Sequence, residues 1–156
     1  MPAYNYVSFD VPVPGAATFA EDVNNGGQIA GFYYDSNNVA HGFLNVGGVF
    51  TTLDDPNGVS GTEILGLNDS GQMVGAYFTP GTGGALIGHA FLYSNGLFTD
   101  LTLPSNLNPP PRGYTIATAI NNSGEIVGYY DFFDGQRGFA FADNNGTFTT
   151  FGNISG

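Results

Sequence analysis

The chain has 156 residues, enough for one domain with a true core. Thirteen Asp/Glu stand against two Arg and no Lys, a formal net charge of −11, which excludes phosphate-neutralising nucleic-acid binders and polybasic membrane anchors. The absence of cysteine removes disulfides, thiolate metal sites and cysteine nucleophiles, while 42% hydrophobic and 15% aromatic residues exclude a disordered chain.

In chain order, the opening MPAYNYVSFDV has neither the basic nor the apolar region of a signal peptide. Residues 4–12 instead resemble a later stretch: Tyr6-Val7-Ser8-Phe9-Asp10-Val11-Pro12 parallels Phe50-Thr51-Thr52-Leu53-Asp54-Asp55-Pro56. A threefold repeat then begins, dividing a single domain, 1–156, into units of about 16–58, 59–107 and 108–156. Its first landmark reads Val23-Asn24-Asn25-Gly26-Gly27-Gln28-Ile29-Ala30-Gly31. The second copy is Leu67-Asn68-Asp69-Ser70-Gly71-Gln72-Met73-Val74-Gly75, and the third is Ile120-Asn121-Asn122-Ser123-Gly124-Glu125-Ile126-Val127-Gly128. Within each unit the pattern predicts four short strands. Strand one ends before the Asn of this landmark, and the Asn/Gly turn reverses the chain. Strand two covers Ile29–Tyr34, Met73–Phe78 and Ile126–Tyr130, and a variable loop follows, longest at Thr79 to Leu86. Strand three carries His41-Gly42-Phe43-Leu44, His89-Ala90-Phe91-Leu92 and Arg137-Gly138-Phe139-Ala140, whose Phe residues lie 48 apart. Gly47-Gly48, Asn95-Gly96 and Asn145-Gly146 then turn the chain into strand four, which begins at Phe50, Phe98 and Phe148. No stretch has helical periodicity, and no apolar run reaches the ~20 residues of a membrane span.

As a set, the motif Ala-x-x-Ile-Asn-Asn-Ser-Gly-x-Ile-Val-Gly, with His-Ala-Phe-Leu and Gly-x-Phe-Thr-x-Leu after it, resembles the HAF repeat family of extracellular bacterial proteins. The resemblance implies four-stranded β units, propeller blades and an extracellular setting, and carries no catalytic residues. Arg137 stands where that family has His.

The expected fold is all-β: three four-stranded propeller-like blades, half of a six-bladed ring that two chains complete. A β-trefoil is the rival, having the same threefold repeat. Small residues in strand one (Ala20, Gly66, Ala117, Ala119) suit a crowded innermost position. A spare fourth strand would also permit an open head-to-tail polymer.

Candidate chemistry is sparse. His41 and His89 occupy equivalent positions, with Arg137 at the third, and fit a ligand, base or hydrogen-bonding role. Among the aromatics after strand two, Tyr33, Tyr77 and Tyr129 are the candidates for outward rings that stack on sugars or touch a partner, with core packing as the alternative. Glu21, Asp22, Glu63, Asp69 and Glu125 could form an acid/base pair or a weak calcium site, or simply a solvated acidic surface. Four Asn-x-Ser/Thr sequons begin at Asn68, Asn121, Asn145 and Asn153. No nucleophile elbow, phosphate cradle or zinc-binding His-Glu-x-x-His is present. The expectation is a non-catalytic extracellular module that self-associates, as a dimer or an open polymer, and binds carbohydrate or a surface partner. A glycoside-active hydrolase or lyase with a carboxylate/His site, and a structural filament subunit, are the alternatives. Neither nucleic acid nor membrane is an expected partner, and no cofactor is expected.

Overall fold

The computed structural model describes residues 8–104, 114–131 and 138–151. It is all-β, with twelve strands in three separate antiparallel sheets of four, each a simple meander. The first sheet contains β1 (Ala17–Val23), β2 (Ile29–Tyr34), β3 (Ala40–Val46) and β4 (Val49–Thr52). The second contains β5 (Thr62–Leu67), β6 (Met73–Pro80), β7 (Leu86–Ser94) and β8 (Leu97–Asp100). The third contains β9 (Thr115–Ile120), β10 (Glu125–Tyr130), β11 (Phe139–Asn144) and β12 (Thr147–Phe151). No sheet closes on itself, so the closed barrel of a trefoil is not formed. The long loop after β6 is shorter than expected, because Thr79 and Pro80 pair with Ile87 and Leu86 and leave only a single 3-10 turn, Thr82–Gly84. Ser8 to Ala16 form no strand, being irregular apart from bends and a turn at 12–15, and the start of the strand-four-like segment 4–12 lies outside the described residues.

Turn chemistry sets the hairpins. The β3–β4, β7–β8 and β11–β12 turns place both central residues at positive φ: Gly47 and Gly48, Asn95 and Gly96, Asn145 and Gly146. That twist matches the flanking strands, and Asn and Gly adopt it at the least cost. The first strand of each sheet carries a bulge, between Ala20 and Asp22, between Ile64 and Gly66, and between Ala117 and Ala119. Each bulge drives a backbone carbonyl, of Phe19, Glu63 or Ile116, into the space that a β-carbon would need at Gly31, Gly75 or Gly128. The Gly that closes each first landmark is therefore required by close approach of backbone.

The sheets stack in sequence. On one face of the first sheet, Ala30 and Leu44 pack with Leu53 against Ile64, Met73, Tyr77 and Phe91 of the second. On the far face of the second, Val74, Ala90 and Leu92 pack against Ala117, Ile126, Phe139 and Phe141 of the third. The near face of the first sheet, with Tyr33 and Phe43, is covered by Val11 and Ala16 from the preceding segment. First strands approach closely: a β-carbon on Gly66 would lie 2.9 Å from Ala119 Cα. The small residue there is thus a packing requirement between β5 and β9; Ala117 is buried as well, whereas Ala20 and Ala119 are exposed, so the crowding expected of strand one is met at two of its four small positions.

Among the described residues no sheet lies against the far face of the third sheet. Val127 and Tyr129 are 44% and 41% exposed, whereas their equivalents Val74 and Ala76 are fully buried. Along β10 every second residue is exposed, whereas six consecutive residues of β6 are buried. The sequences are similar; the difference lies in what covers them.

Candidate functional site

Strand register identifies the true equivalents of the aromatic candidates. Gly31, Gly75 and Gly128 sit opposite Phe43, Phe91 and Phe141. Two residues on, Tyr33 faces His41, Tyr77 faces His89, and Tyr130 faces Phe139. The third counterpart of the histidines is therefore Phe139, and the third landmark is Phe139-Ala140-Phe141-Ala142, two residues later than the sequence alignment placed it. Arg137 itself lies outside the described residues. Tyr129 belongs to the opposite face from Tyr33 and Tyr77, whose equivalent is Tyr130.

Tyr33 and Tyr77 are 6% and 5% exposed, which corrects the expectation that they point outward. Alternation in a strand delivers a residue to solvent only when one face of the sheet is bare; here Val11 and Ala16 of the preceding segment pack with Tyr33, and the first sheet packs over Tyr77. These tyrosines are structural struts. Tyr33 stacks on His41 with ring centroids 5.1 Å apart, Tyr77 on His89 at 4.8 Å, and Tyr130 on Phe139 at 5.3 Å. Their hydroxyls reach the last strand of the same sheet: Tyr33 to Thr52 Oγ1 at 3.2 Å and Tyr77 to Asp100 Oδ2 at 3.3 Å, with Tyr130 bonded to Thr150. Burial, with the negative charge of Asp100 beside it, pushes the Tyr77 phenol up to about 12.

The histidines have local partners. His41 Nδ1 lies 2.8 Å from Asp54 Oδ2, and its Nε2 is 3.9 Å from Asp35 Oδ2. His89 Nε2 lies 2.9 Å from Thr79 Oγ1. Among the described residues no three His, Asp or Glu side chains gather into a metal-binding group. Of the carboxylates singled out in the sequence, exposed Glu21 lies near enough to Glu63 for its charge to raise the Glu63 pKa, and the other four are held by separate partners. Asp22 accepts from Leu67 N–H, Glu63 from the Tyr34 hydroxyl, Asp69 from Asn25 and Asn122, and Glu125 from Asn121 Nδ2. Desolvation on burial raises the Glu63 pKa, whereas hydrogen bonds from Asn25 lower that of Asp69.

The Asn turns do not point their oxygens outward as calcium loops do. Asn68 Oδ1 accepts from the N–H groups of Ser70 and Gln72, both at 3.0 Å, and Asn24 and Asn121 repeat this in their own turns. The side-chain nitrogens link one turn to the next. Asn24 Nδ2 donates to the Asn68 carbonyl and Asn68 Nδ2 to the Asn121 carbonyl, each at 3.1 Å. Asn68 is 2% exposed, so its sequon is closed to modification. This amide ladder across sheets was not legible in sequence, although the triple recurrence of Asn at one position was its signal.

Asp55 is a second site residue that sequence reasoning missed. It is 3% exposed, and its Oδ2 has no hydrogen-bond partner, while Oδ1 accepts from Asn57 N–H. Desolvation raises its pKa, and the charge of Asp100 adds to the rise. Its signal was an acid at a repeat position where Val11 and Leu103 stand in the other copies, both buried.

Three surface hollows bear on the site, one of about 310 Å³ beside Glu21, Asp22 and Ile29 of the first sheet. Another, of about 480 Å³, lies on the bare face of the third sheet, between Glu125, Asn144, Thr149 and Phe151. A further one, of about 390 Å³, runs between the second and third sheets, past Leu92, Asp100, Ile126 and Phe148. No helix among the described residues is long and apolar enough to cross a membrane. Comparison with protein-family models, with curated proteins and with solved structures finds no match to this chain.

Proposed function

We propose that this protein is a non-catalytic HAF-type repeat module, extracellular, whose three sheets are propeller-like blades that work by assembling with further blades and presenting the assembly to a carbohydrate or surface partner. The observation that carries this reading is the unfinished stack: each sheet covers the next in the same way, and the series stops with Val127, Tyr129 and Phe151 exposed on the third. A bare apolar sheet face of this composition favours association. Four of the five candidate carboxylates, Asp22, Glu63, Asp69 and Glu125, and both histidines are engaged in hydrogen bonds that hold sheets and turns together. That fits a scaffold better than a reaction centre. The test is the mass in solution by light scattering, followed by a glycan array on the assembled protein. Assemblies larger than one chain that bind glycan without cleaving it support the proposal. A stable single chain, or turnover of a glycoside, defeats it.

A glycoside-active carboxylate/His site is the second reading. Asp55 favours it, as a buried acid with one unpartnered oxygen whose pKa is raised by desolvation, the charge of Asp100 adding to the rise. Loss of any measured hydrolysis in Asp55→Asn, with folding intact, would promote this reading over the first.

A further inference from the structure

The amide ladder has a direction and two loose ends. Its steps run from the Asn24 amide to the Asn68 carbonyl, and from the Asn68 amide to the Asn121 carbonyl. At the third turn, among the described residues, the donor finds no further carbonyl: Asn121 Nδ2 bonds only Glu125 Oε2 of its own hairpin. At the first turn the acceptor is idle, because the Asn24 carbonyl takes only the Gly27 N–H, whereas those of Asn68 and Asn121 each take an amide from a neighbouring turn as well. A second pair of contacts runs beside the ladder. Asp69 accepts from Asn25 N–H and Nδ2, and Asp69 N–H donates to Asn122 Oδ1 at 2.9 Å. Asn122 in turn is exposed, with no following turn beside it.

The two loose ends belong to complementary sheet faces. The third sheet offers the far face that in sheets one and two is buried by the next sheet. The first sheet offers the near face, on which only the 8–16 segment lies and no preceding sheet. In both other sheets the near face receives a linker residue and a whole sheet together: Leu53 with Ala30 and Leu44, and Leu101 and Leu103 with Val74 and Ala90.

We propose that the occupant of the third sheet's bare face is the first sheet of a second copy of this chain, docked in the register in which Asn121 Nδ2 donates to the partner copy's Asn24 carbonyl. This rests on the assembly reading above and adds the surface, the register and the partner. The contact joins unlike surfaces, so it is heterologous. Two copies that make it reciprocally close a ring of six sheets, within the four to eight of known propellers, and copies that fail to close grow a filament.

Asp69 and Asn122 touch within one chain, so Asn122 of one copy and Asn25 of the next should touch in the assembly. Within one chain the second turn separates them. The chain lacks cysteine, which makes oxidative cross-linking selective. Asn25→Cys and Asn122→Cys, both at exposed turn positions, are mixed and oxidised. The expected result is loss of monomer to a covalent dimer in the mixture and not in either variant alone. The double variant should give only dimer if the ring closes, or a ladder of multimers if it does not. Tyr129→Glu should release single chains while the strand signal in circular dichroism is retained. A wild type that associates, with no more cross-link in the mixture than in the single variants, overturns the docking register and leaves the assembly reading standing. A wild type that is monomeric at its highest soluble concentration overturns both.

Discussion

Replacing Asn68 by Asp keeps the side chain's volume and the oxygen that caps the Ser70 and Gln72 N–H groups, but turns its donor into an acceptor. In the native turn Nδ2 faces Gln72 Oε1 at 2.7 Å and the Asn121 carbonyl at 3.1 Å. The variant therefore loses two hydrogen bonds, about 1 kcal/mol each, and places a carboxylate oxygen against two oxygens at a position 2% exposed. A buried ionised group without a partner adds about 1–3 kcal/mol more, for a total cost of about 3–5 kcal/mol at neutral pH. In thermal unfolding that is a fall in Tm on the order of 10 °C for a domain of this size. Burial raises the new carboxyl's pKa in the folded state, so its penalty grows as pH rises and is relieved by protonation. Measured against wild type at each pH, Asn68→Asp should regain part of its loss below about pH 4, where the acid offers one O–H donor. Asn24→Asp, half-buried with the same two bonds, should cost less. Asn121→Asp should cost least in the single chain, about 1 kcal/mol, since only the exposed Glu125 contact is lost. Equal costs at all three turns, or a loss at Asn68 that is independent of pH, would refute the ladder as a stabilising device.

Asp55→Asn should stabilise the fold by about 1–2 kcal/mol at pH 7. The raised pKa of Asp55 means that its contribution is most favourable below about pH 3.9 and is lost as pH rises through the folded value. The gain of the neutral variant should thus vanish in denaturant titrations at low pH, and persistence of the gain there would contradict the assignment. Gly75→Ala should cost about 3 kcal/mol or abolish folding, because the added carbon meets the Glu63 carbonyl. Gly146→Ala, at φ 84 but with no heavy atom of the described residues within 4 Å of the added carbon, should cost less, about 1 kcal/mol, in the same unfolding assay.

The sequence made the repeat readable because turns constrain it most. Asn24, Asn68 and Asn121 recur for their capping bonds, and Gly31, Gly75 and Gly128 for their contact with the bulged strand. The third unit was misread at strand three because Phe139 and Phe141 stand two apart on one strand face, so either fits the Phe of the landmark by pattern. Register alone separates them, whereas Tyr130 rather than Tyr129 was legible in the spacing, since it follows Gly128 by two residues as Tyr33 follows Gly31 and Tyr77 follows Gly75. The outward placement of Tyr33 and Tyr77 failed for a different reason. Alternation reports which residues share a face, whereas exposure depends on whether another sheet lies over it, and that information resides outside the strand. Asp55 was passed over because a lone acid after a strand usually faces water; only comparison with Val11 and Leu103 marks its position as buried.

Every strand here pairs with its immediate sequence neighbour, and each sheet is a contiguous stretch of chain. Few contacts within a sheet require distant segments to meet, so loop closure takes little entropy before pairing begins. Such a chain can fold from its beginning as it leaves the ribosome, each finished sheet offering a template on which the next condenses.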